Sequence, residues 1–188
     1  MKRIGFGQVE PNHLSAQRTG QIYAQLPAAA NIAILENGQF AKYDYENGEV
    51  NFTGDGEWLL VFNEVKLYDD FWRESYKDFA MQAKNYTPGS NTITHGGVGP
   101  LKGQMTPRLF KTNVGDIYTT NCLAVANTDG KTEVDMGTIT LGDELGVAST
   151  GYLVEASTLT SYDGPIFKVV KIYTMPDGQE AVKVQRIA

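Results

Sequence analysis

Residues 31 to 62 alternate between apolar and polar positions in short runs that are typical of β-strands. Asn-Gly pairs at 37–38 and 47–48 and a glycine-rich turn at 54–56 separate these runs. Because Asn and Gly tolerate the positive φ angles of tight hairpin turns, this spacing predicts a β-meander. The run from Trp58 to Phe62 is apolar at every position, which predicts a central strand that is buried on both faces.

A different pattern occupies residues 69–84, where aromatic and alanine residues recur at the three- and four-residue spacing of an α-helix. Asp69 or Asp70 is placed to cap its first turn, and Pro88 follows soon after its end. The segment therefore predicts one α-helix. Its aromatic stripe is expected to pack on a sheet or, alternatively, to face a partner.

Beyond residue 107 the chain returns to short strand patterns between frequent turns. Pro-Asp-Gly at 176–178 predicts a hairpin between the last two runs, since Pro presets φ and Gly takes the left-handed conformation. Six short strands with turns this frequent predict a small β-barrel or β-sandwich. The predicted strands cover residues 108–112, 117–126, 132–141, 147–154, 166–174 and 181–187.

The predicted fold class is mainly β, a small barrel or sandwich with one packed α-helix and an extended N-terminal arm. Residues 1–30 lack both periodic patterns and form either a frayed terminus or an arm that a neighbouring subunit orders. The β-meander with the helix follows at residues 31–90. The glycine- and proline-rich stretch at 87–107 predicts a long loop at a domain seam. The barrel or sandwich domain spans residues 91–188.

The arm keeps large side chains that a free disordered tail would not need. It is therefore expected to be mobile in the isolated protein and ordered on a neighbour in an assembly. The predicted partner contacts in this arm are Phe6, Leu14, Arg18, Ile22, Tyr23 and Leu26.

Composition limits the partners of this chain. Its 188 residues contain 16 basic and 22 acidic side chains, for a net charge of −6, which argues against nucleic acid as a partner. The longest apolar run is far too short to cross a membrane, and polar residues interrupt the start where a signal peptide would need an apolar core. The single cysteine, Cys122, excludes an internal disulfide and a multi-cysteine zinc site.

The chain offers few groups for catalysis. The two histidines, His13 and His95, lie far apart in the sequence, and neither the nucleophile elbow of esterases nor a phosphate-binding glycine loop is complete. Cys122 falls in a predicted strand, which favours a buried structural thiol. The sequence therefore predicts no catalytic residue, no cofactor-binding residue and no enzymatic activity.

Acidic side chains cluster around two predicted turns, without a basic residue among them. Carboxylates on neighbouring turns are suitable ligands for Ca²⁺, but the spacing of an EF-hand loop is missing. No metal site is assigned, and calcium binding by these turns stays an open alternative to a solvated acidic surface. The acidic residues concerned are Asp44, Glu46, Glu49, Asp55 and Glu57.

Four strings carry a resemblance to known proteins: MKRIGFGQVEPNHLSAQRTGQIYAQLP at the start, then TPRLFKTNVGDIYTTNCL, LGDELGV and GPIFKVVKIYTMPDGQEAVKV. They resemble structural proteins of tailed bacteriophages, most of all the head auxiliary, or decoration (capsid cement), proteins. The resemblance covers the predicted arm and most of the C-terminal half. It carries over no catalytic residue.

This resemblance implies a non-enzymatic virion protein that binds and stabilises the capsid lattice. Its partners would be the major capsid protein and copies of itself, often as a trimer. It would be made in the host cytoplasm and located on the capsid surface of the virion. Two alternatives stay open: a tail-tube or head-fibre subunit, and a carbohydrate-binding β-module that uses the many tyrosines.

Overall fold

A computed structural model of the chain describes residues 6–16, 26–63, 80–82, 105–124, 138–175 and 178–188. These residues form a mainly β structure, as the sequence predicts. The strands are β1 (Val9–His13), β2 (Ile34–Glu36), β3 (Phe40–Asp44), β4 (Glu49–Asn51), β5 (Leu59–Val61), β6 (Ala80–Gln82), β7 (Leu109–Phe110), β8 (Ile117–Thr120), β9 (Glu144–Val147), β10 (Leu153–Glu155), β11 (Phe167–Thr174) and β12 (Glu180–Arg186), with a 3-10 helix at Ala156–Thr158.

The strands form three antiparallel sheets. The largest has six strands in the order β1-β8-β12-β11-β9-β10, the second has four in the order β4-β3-β5-β7, and β2 pairs with β6. A single bridge between Leu123 and Leu153 brings the chain beyond β8 next to β10, but β1 and β10 remain the edges of the six-stranded sheet. Among the described residues the sheets therefore pack as layers, and the predicted closed barrel is not found.

The six-stranded and four-stranded sheets share the main hydrophobic core. Phe40 of β3 and Phe167 of β11 have ring centroids 5.4 Å apart, and Tyr118 of β8 meets Phe167 edge-on at 5.8 Å. Full burial of one Phe side chain stabilises a fold by about 1.5–3 kcal/mol, and the contact between Phe40 and Phe167 connects the two layers. The core takes residues from both predicted domains, 31–90 and 91–188.

Strand β5 lies between two cores, which explains its continuous apolar run. Leu60 belongs to the core shared with the six-stranded sheet, whereas Leu59 and Val61 belong to a second core on the opposite face. All three side chains are fully buried. The prediction of a central strand buried on both faces is confirmed.

Two predicted hairpins are confirmed. Strands β11 and β12 pair antiparallel, and Gly178 after the turn has a φ of +84°. Strands β3 and β4 pair across the turn that contains Gly48, whose φ is +65°. The matching prediction at 37–38 is wrong as a hairpin: Gly38 has a φ of +92°, but β2 pairs with β6, whereas β3 lies between β4 and β5.

Strand boundaries differ from the prediction in the C-terminal half. The single strand predicted at 147–154 is wrong: the chain turns within this segment and connects two antiparallel strands, β9 and β10. The turn forms because Gly151 adopts a φ of +83° and its N–H donates to Ala148 O. Strand β8 ends at Thr120, earlier than the predicted residue 126. Of the strand predicted at 132–141, residues 138–141 are described and are not a strand.

The predicted α-helix at 69–84 lies mostly outside the described residues. Its described part, Ala80–Gln82, is strand β6, so the helix prediction is wrong there. β6 pairs with β2 from Ile34↔Gln82 to Glu36↔Ala80. Buried backbone groups need hydrogen-bond partners, and here the neighbouring strand β2 supplies them instead of the next turn of a helix.

The N-terminal stretch is part of the folded body. β1 forms an edge of the six-stranded sheet through antiparallel pairing with β8, a strand that the sequence did not predict. Leu14 is only 2% exposed and belongs to the main core. For residues 9–14 the prediction of an arm that is mobile in the isolated chain is therefore wrong, and residues 1–5 and 17–25 lie outside the described residues.

Candidate interaction surfaces

The predicted partner contacts do not form one exposed patch among the described residues. Leu14 is buried in the chain's own core, Phe6 is half-buried, and half-buried Leu26 packs against the second core. The other three, Arg18, Ile22 and Tyr23, lie outside the described residues. The described members of the set therefore contribute to the fold of their own chain.

A buried joint, defined here as residues 36–39 with Asn63 and Tyr152, connects the sheets. The Asn37 carboxamide accepts from Asn63 N at 2.8 Å and donates to Asn63 O at 3.2 Å. The Tyr152 hydroxyl donates to a Glu36 carboxyl oxygen at 2.8 Å. Because these polar side chains are nearly inaccessible to solvent, their hydrogen bonds support the architecture rather than a reaction.

A second polar cluster fixes the end of the N-terminal stretch. The Asp116 carboxylate accepts from Ser15 N at 3.0 Å, from the Ser15 hydroxyl at 2.9 Å and from Asn113 N at 2.8 Å. Asp116 is itself buried in the turn before β8. This carboxylate therefore ties the chain after β1 to the turn that starts β8.

Tyr162 is the group with the largest pKa shift near an open cleft. Its hydroxyl accepts from Val147 N and donates to Pro165 O, both at 2.9 Å, and burial raises its pKa to about 12. The cleft beside it has a volume of about 330 Å³, and four of its nine described lining residues are Ser or Thr. None of these nine residues is a histidine or a cysteine, so they offer no pair of groups for nucleophilic catalysis.

Two of the candidate calcium ligands, Asp44 and Glu57, are engaged in contacts within the chain. The Asp44 carboxylate accepts from Asn47 N, Asn47 Nδ2 and Asn51 Nδ2, each at 3.0 Å. The hydrogen bonds from Asn47 are the main reason why the pKa of Asp44 is lowered. Glu57 pairs with Lys111 at 2.7 Å. Within the described ranges no group of three or more His, Cys, Asp or Glu residues is arranged to hold a metal ion.

Lysines concentrate on the face of the six-stranded sheet that points away from the core. We call Leu141, Lys168, Val170, Lys171 and Lys183 the lysine surface. Phe167 and Val169 alternate with them and face the core. A register shift between Val169 and Lys171 places two consecutive exposed residues, Val170 and Lys171, on the strand.

Tyr173 organises two lysines of this surface. The Lys171 and Lys183 ammonium groups lie 5.6 Å and 5.9 Å from the centre of its ring. The Tyr173 hydroxyl donates to the Glu10 carboxylate of β1. On the other side, Glu144 of β9 is the cross-strand neighbour of Lys168. The surface thus has three lysines at its centre and glutamates at its margins.

The hairpin between β3 and β4 carries the opposite charge. We call residues 44–49, with the carboxylates of Asp44, Glu46 and Glu49, the acidic hairpin. Its tip is exposed, and Tyr45 at the tip has 66% of its surface accessible. The hydrogen bonds of Asp44 within the turn hold this tip in one conformation.

The large exposed apolar side chains lie either in the acidic hairpin or near the six-stranded sheet. Of the five in the described part of the chain, Tyr45 lies in the acidic hairpin, Val170 lies in β11, and the other three lie next to the ends of strands of the six-stranded sheet. Leu141 precedes Gly142, whose N–H donates to Val169 O, so Leu141 and Val170 are neighbours. Val114 precedes Gly115, whose N–H donates to Arg186 O next to Ile187. Single exposed apolar residues are ordinary, but neighbouring ones indicate an interaction surface.

The remaining candidate groups form no reactive centre within the described ranges. His13 is exposed at the end of β1, and His95 lies outside the described residues. The Cys122 thiol is fully buried, as expected for a structural cysteine. No helix among the described residues has both the length and the apolar character that crossing a membrane requires.

Sequence reasoning missed the lysine surface. Its signal was the two-residue alternation of Lys168 with buried Phe167 and Val169, but the sequence did not reveal the bulge or the proximity of Leu141 and Lys183. Comparisons with protein-family models, with curated proteins and with solved structures found no significant match to this chain.

Proposed function

We propose that this protein is a non-enzymatic structural component of a bacteriophage virion, which binds the outer surface of the capsid lattice as a decoration protein. Its partners are the major capsid protein and further copies of itself. One observation carries the proposal: the two buried carboxyl groups of the described residues accept internal hydrogen bonds, whereas lysines and carboxylates that form no ion pair in this part of the chain lie on two exposed surfaces. Such a division suits a protein that acts by contact.

The interior of the fold supports a structural role. Glu36 and Asp116, two buried carboxyl groups, are bonded to Tyr152 and to Ser15 with Asn113. A catalytic carboxyl group needs access to a substrate, whereas these two connect distant parts of the chain. The four sequence strings that resemble decoration proteins give the proposal its virion context.

The tyrosines favour this proposal over a carbohydrate-binding module. Tyr43, Tyr118 and Tyr152 are buried, and Tyr162 is half-buried with its hydroxyl engaged. A glycan platform needs aromatic rings exposed together on one face. Among the described tyrosines only Tyr45 has most of its surface exposed. A tail-tube or head-fibre subunit remains the alternative within the same structural class.

The test is the location of the protein in purified virions of the phage that encodes it. Mass spectrometry should find the chain in many copies per particle, and cryo-electron microscopy should place it on the outer capsid surface. Density in the tail tube or in a fibre would replace decoration with that alternative. Absence of the chain from purified particles would overturn the proposal.

A further inference from the structure

We propose that the acidic hairpin of one copy docks on the lysine surface of a second copy, with Tyr45 seated beside Val170 and Leu141. The inference rests on the self-association that is part of the proposed function, and it requires no capsid.

Neither surface is neutralised by ion pairs with the described residues of its own chain. Among the described residues no ion pair involves Lys168, Lys171 or Lys183, although Glu144 lies across from Lys168. In the same part of the chain no ion pair involves Glu46 or Glu49. Both surfaces therefore keep charge that a partner of the opposite sign would attract.

The acidic hairpin and the lysine surface lie on different sides of the folded chain. The acidic hairpin extends from the four-stranded sheet, whereas the lysine surface covers the face of the six-stranded sheet that points away from the four-stranded sheet. The two sheets pack against each other through Phe40 and Phe167. Because the core separates them, the two surfaces of one chain face different directions, and a second copy is needed to join them.

Each of the two surfaces also carries a large exposed apolar or aromatic side chain. Tyr45 is 66% exposed among carboxylates, and Val170 is 41% exposed among lysines with Leu141 beside it. Interfaces typically place apolar or aromatic side chains at the centre and charges at the rim. Since Tyr presents both an apolar ring and a cation-binding face, it fits a surface that combines Val170 with Lys171.

The charge of the whole chain favours a second copy as the occupant. The chain carries a net charge of −6, so its lysine surface is an exception on an acidic protein and its complement is present on every copy. The two surfaces differ, which makes the contact head to tail. Such contacts close into a ring or continue as a chain of copies.

The experiment is sedimentation velocity of the purified full chain over a range of concentrations, in low-salt and high-salt buffer. We expect mass to increase with concentration at low salt and the association to weaken at high salt, because salt screens exposed charges. A chain that remains monomeric at every concentration at low salt would overturn the proposal.

Two charge-reversed variants test the pairing itself. Variant one carries Lys168→Glu, Lys171→Glu and Lys183→Glu, and variant two carries Glu46→Lys and Glu49→Lys. Each alone should associate at least about tenfold more weakly than the natural chain, because like charges then face each other. An equimolar mixture should associate again, since each variant supplies the surface that the other one lacks. Failure of the mixture to associate would overturn the pairing.

Apolar substitutions provide a matched control. Val170→Thr and Val114→Thr remove the same methyl group at exposed sites, Val170 in β11 and Val114 in the turn before β8, and only the first lies in the proposed contact. We expect Val170→Thr and Tyr45→Ser to weaken association several-fold and Val114→Thr to leave it unchanged. Equal effects of the two valine substitutions would contradict the proposed site.

A different binding partner of the lysine surface would give a different set of results. If the lysine surface served a polyanion, heparin would bind the natural chain more tightly than it binds variant one, and the variant mixture would not restore association. That pair of results would overturn the docking proposal. The proposed function would be unaffected, because it depends on detection of the chain in virions.

Discussion

Two turns of this protein share the dipeptide Asn-Gly and differ in almost everything else. Gly38 and Gly48 both adopt positive φ angles, +92° and +65°. Asn37 is buried and bonded to Asn63, whereas Asn47 is exposed and bonded to Asp44 within its own turn. The first turn carries the chain from one sheet to another, and the second closes a hairpin. Local chemistry thus fixes the backbone conformation of a turn, and the surroundings decide what the turn connects.

The glycines should show the largest contrast. A Cβ atom at Gly38 would lie 2.7 Å from Cys122 Cβ and from Thr120 Oγ1, whereas nothing lies within 4 Å of one at Gly48. We expect Gly38→Ala to lower the free energy of unfolding by about 3–5 kcal/mol through overpacking and backbone strain. Gly48→Ala should cost about 1–2 kcal/mol from strain alone. Urea unfolding of both variants measures the difference, and equal losses would contradict a buried joint.

Substitutions of the two asparagines should show the second largest difference in the free energy of unfolding. Asn37→Ala leaves the buried N–H and C=O groups of Asn63 without these partners, for an expected loss of about 2–4 kcal/mol. Asn47→Ala removes exposed hydrogen bonds that water replaces. This substitution should therefore lower the free energy of unfolding by no more than about 0.5 kcal/mol. The same urea titrations check both values. A loss at Asn47 as large as that at Asn37 would show that hydrogen bonds within the exposed hairpin matter more than the joint.

Two tyrosine hydroxyl groups allow a finer comparison. Tyr152→Phe removes the hydrogen bond to the buried Glu36 carboxyl group and should lower the free energy of unfolding by about 1–3 kcal/mol. The exposed Tyr45 supplies the control, since Tyr45→Phe should change stability by less than about 0.5 kcal/mol. Thermal unfolding under identical conditions would record both. A neutral Tyr152→Phe variant would mean that Glu36 finds another donor.

The smallest expected effect is a pH dependence in the exposed turn. Hydrogen bonds from Asn47 lower the pKa of Asp44, so the ionised carboxylate stabilises the folded chain above the ordinary pKa of this group. This contribution disappears as the pH falls through the lowered pKa of the folded state. Asp44→Asn should therefore shift the urea midpoint slightly at neutral pH and not at acidic pH. A shift that persists in acid would assign the effect to the shape of the side chain.

Sequence patterns succeeded where the deciding interactions are local or where burial is extreme. The hairpins at Gly48 and Gly178 follow from turn residues between alternating runs. The run around Leu60 had to be buried on both faces, and β5 lies between two cores. Burial of Cys122 was predicted from its place in a strand and is confirmed, although β8 ends at Thr120.

Long-range partners were beyond local patterns. The helical spacing at 80–82 was overruled by pairing with β2, and the polar stretch Val9–His13 became an edge strand through pairing with β8. The candidate surfaces show the same limit. The acidic hairpin was visible as adjacent carboxylates in the sequence, whereas the lysine surface combines residues from β11, β12 and the turn before β9.

The sequence by itself determined the β character of the chain, the turns that need positive φ, and an acidic surface without an evident reactive centre. These properties depend on residues close together in the chain, whose backbone preferences act before any distant contact forms. Only the tertiary structure decided that Glu36–Gln39 is a buried joint, that Leu14 belongs to the core and that three lysines share one face. Those outcomes depend on which distant strands satisfy each other's backbone hydrogen bonds and apolar surfaces, and this choice is settled by the whole chain together.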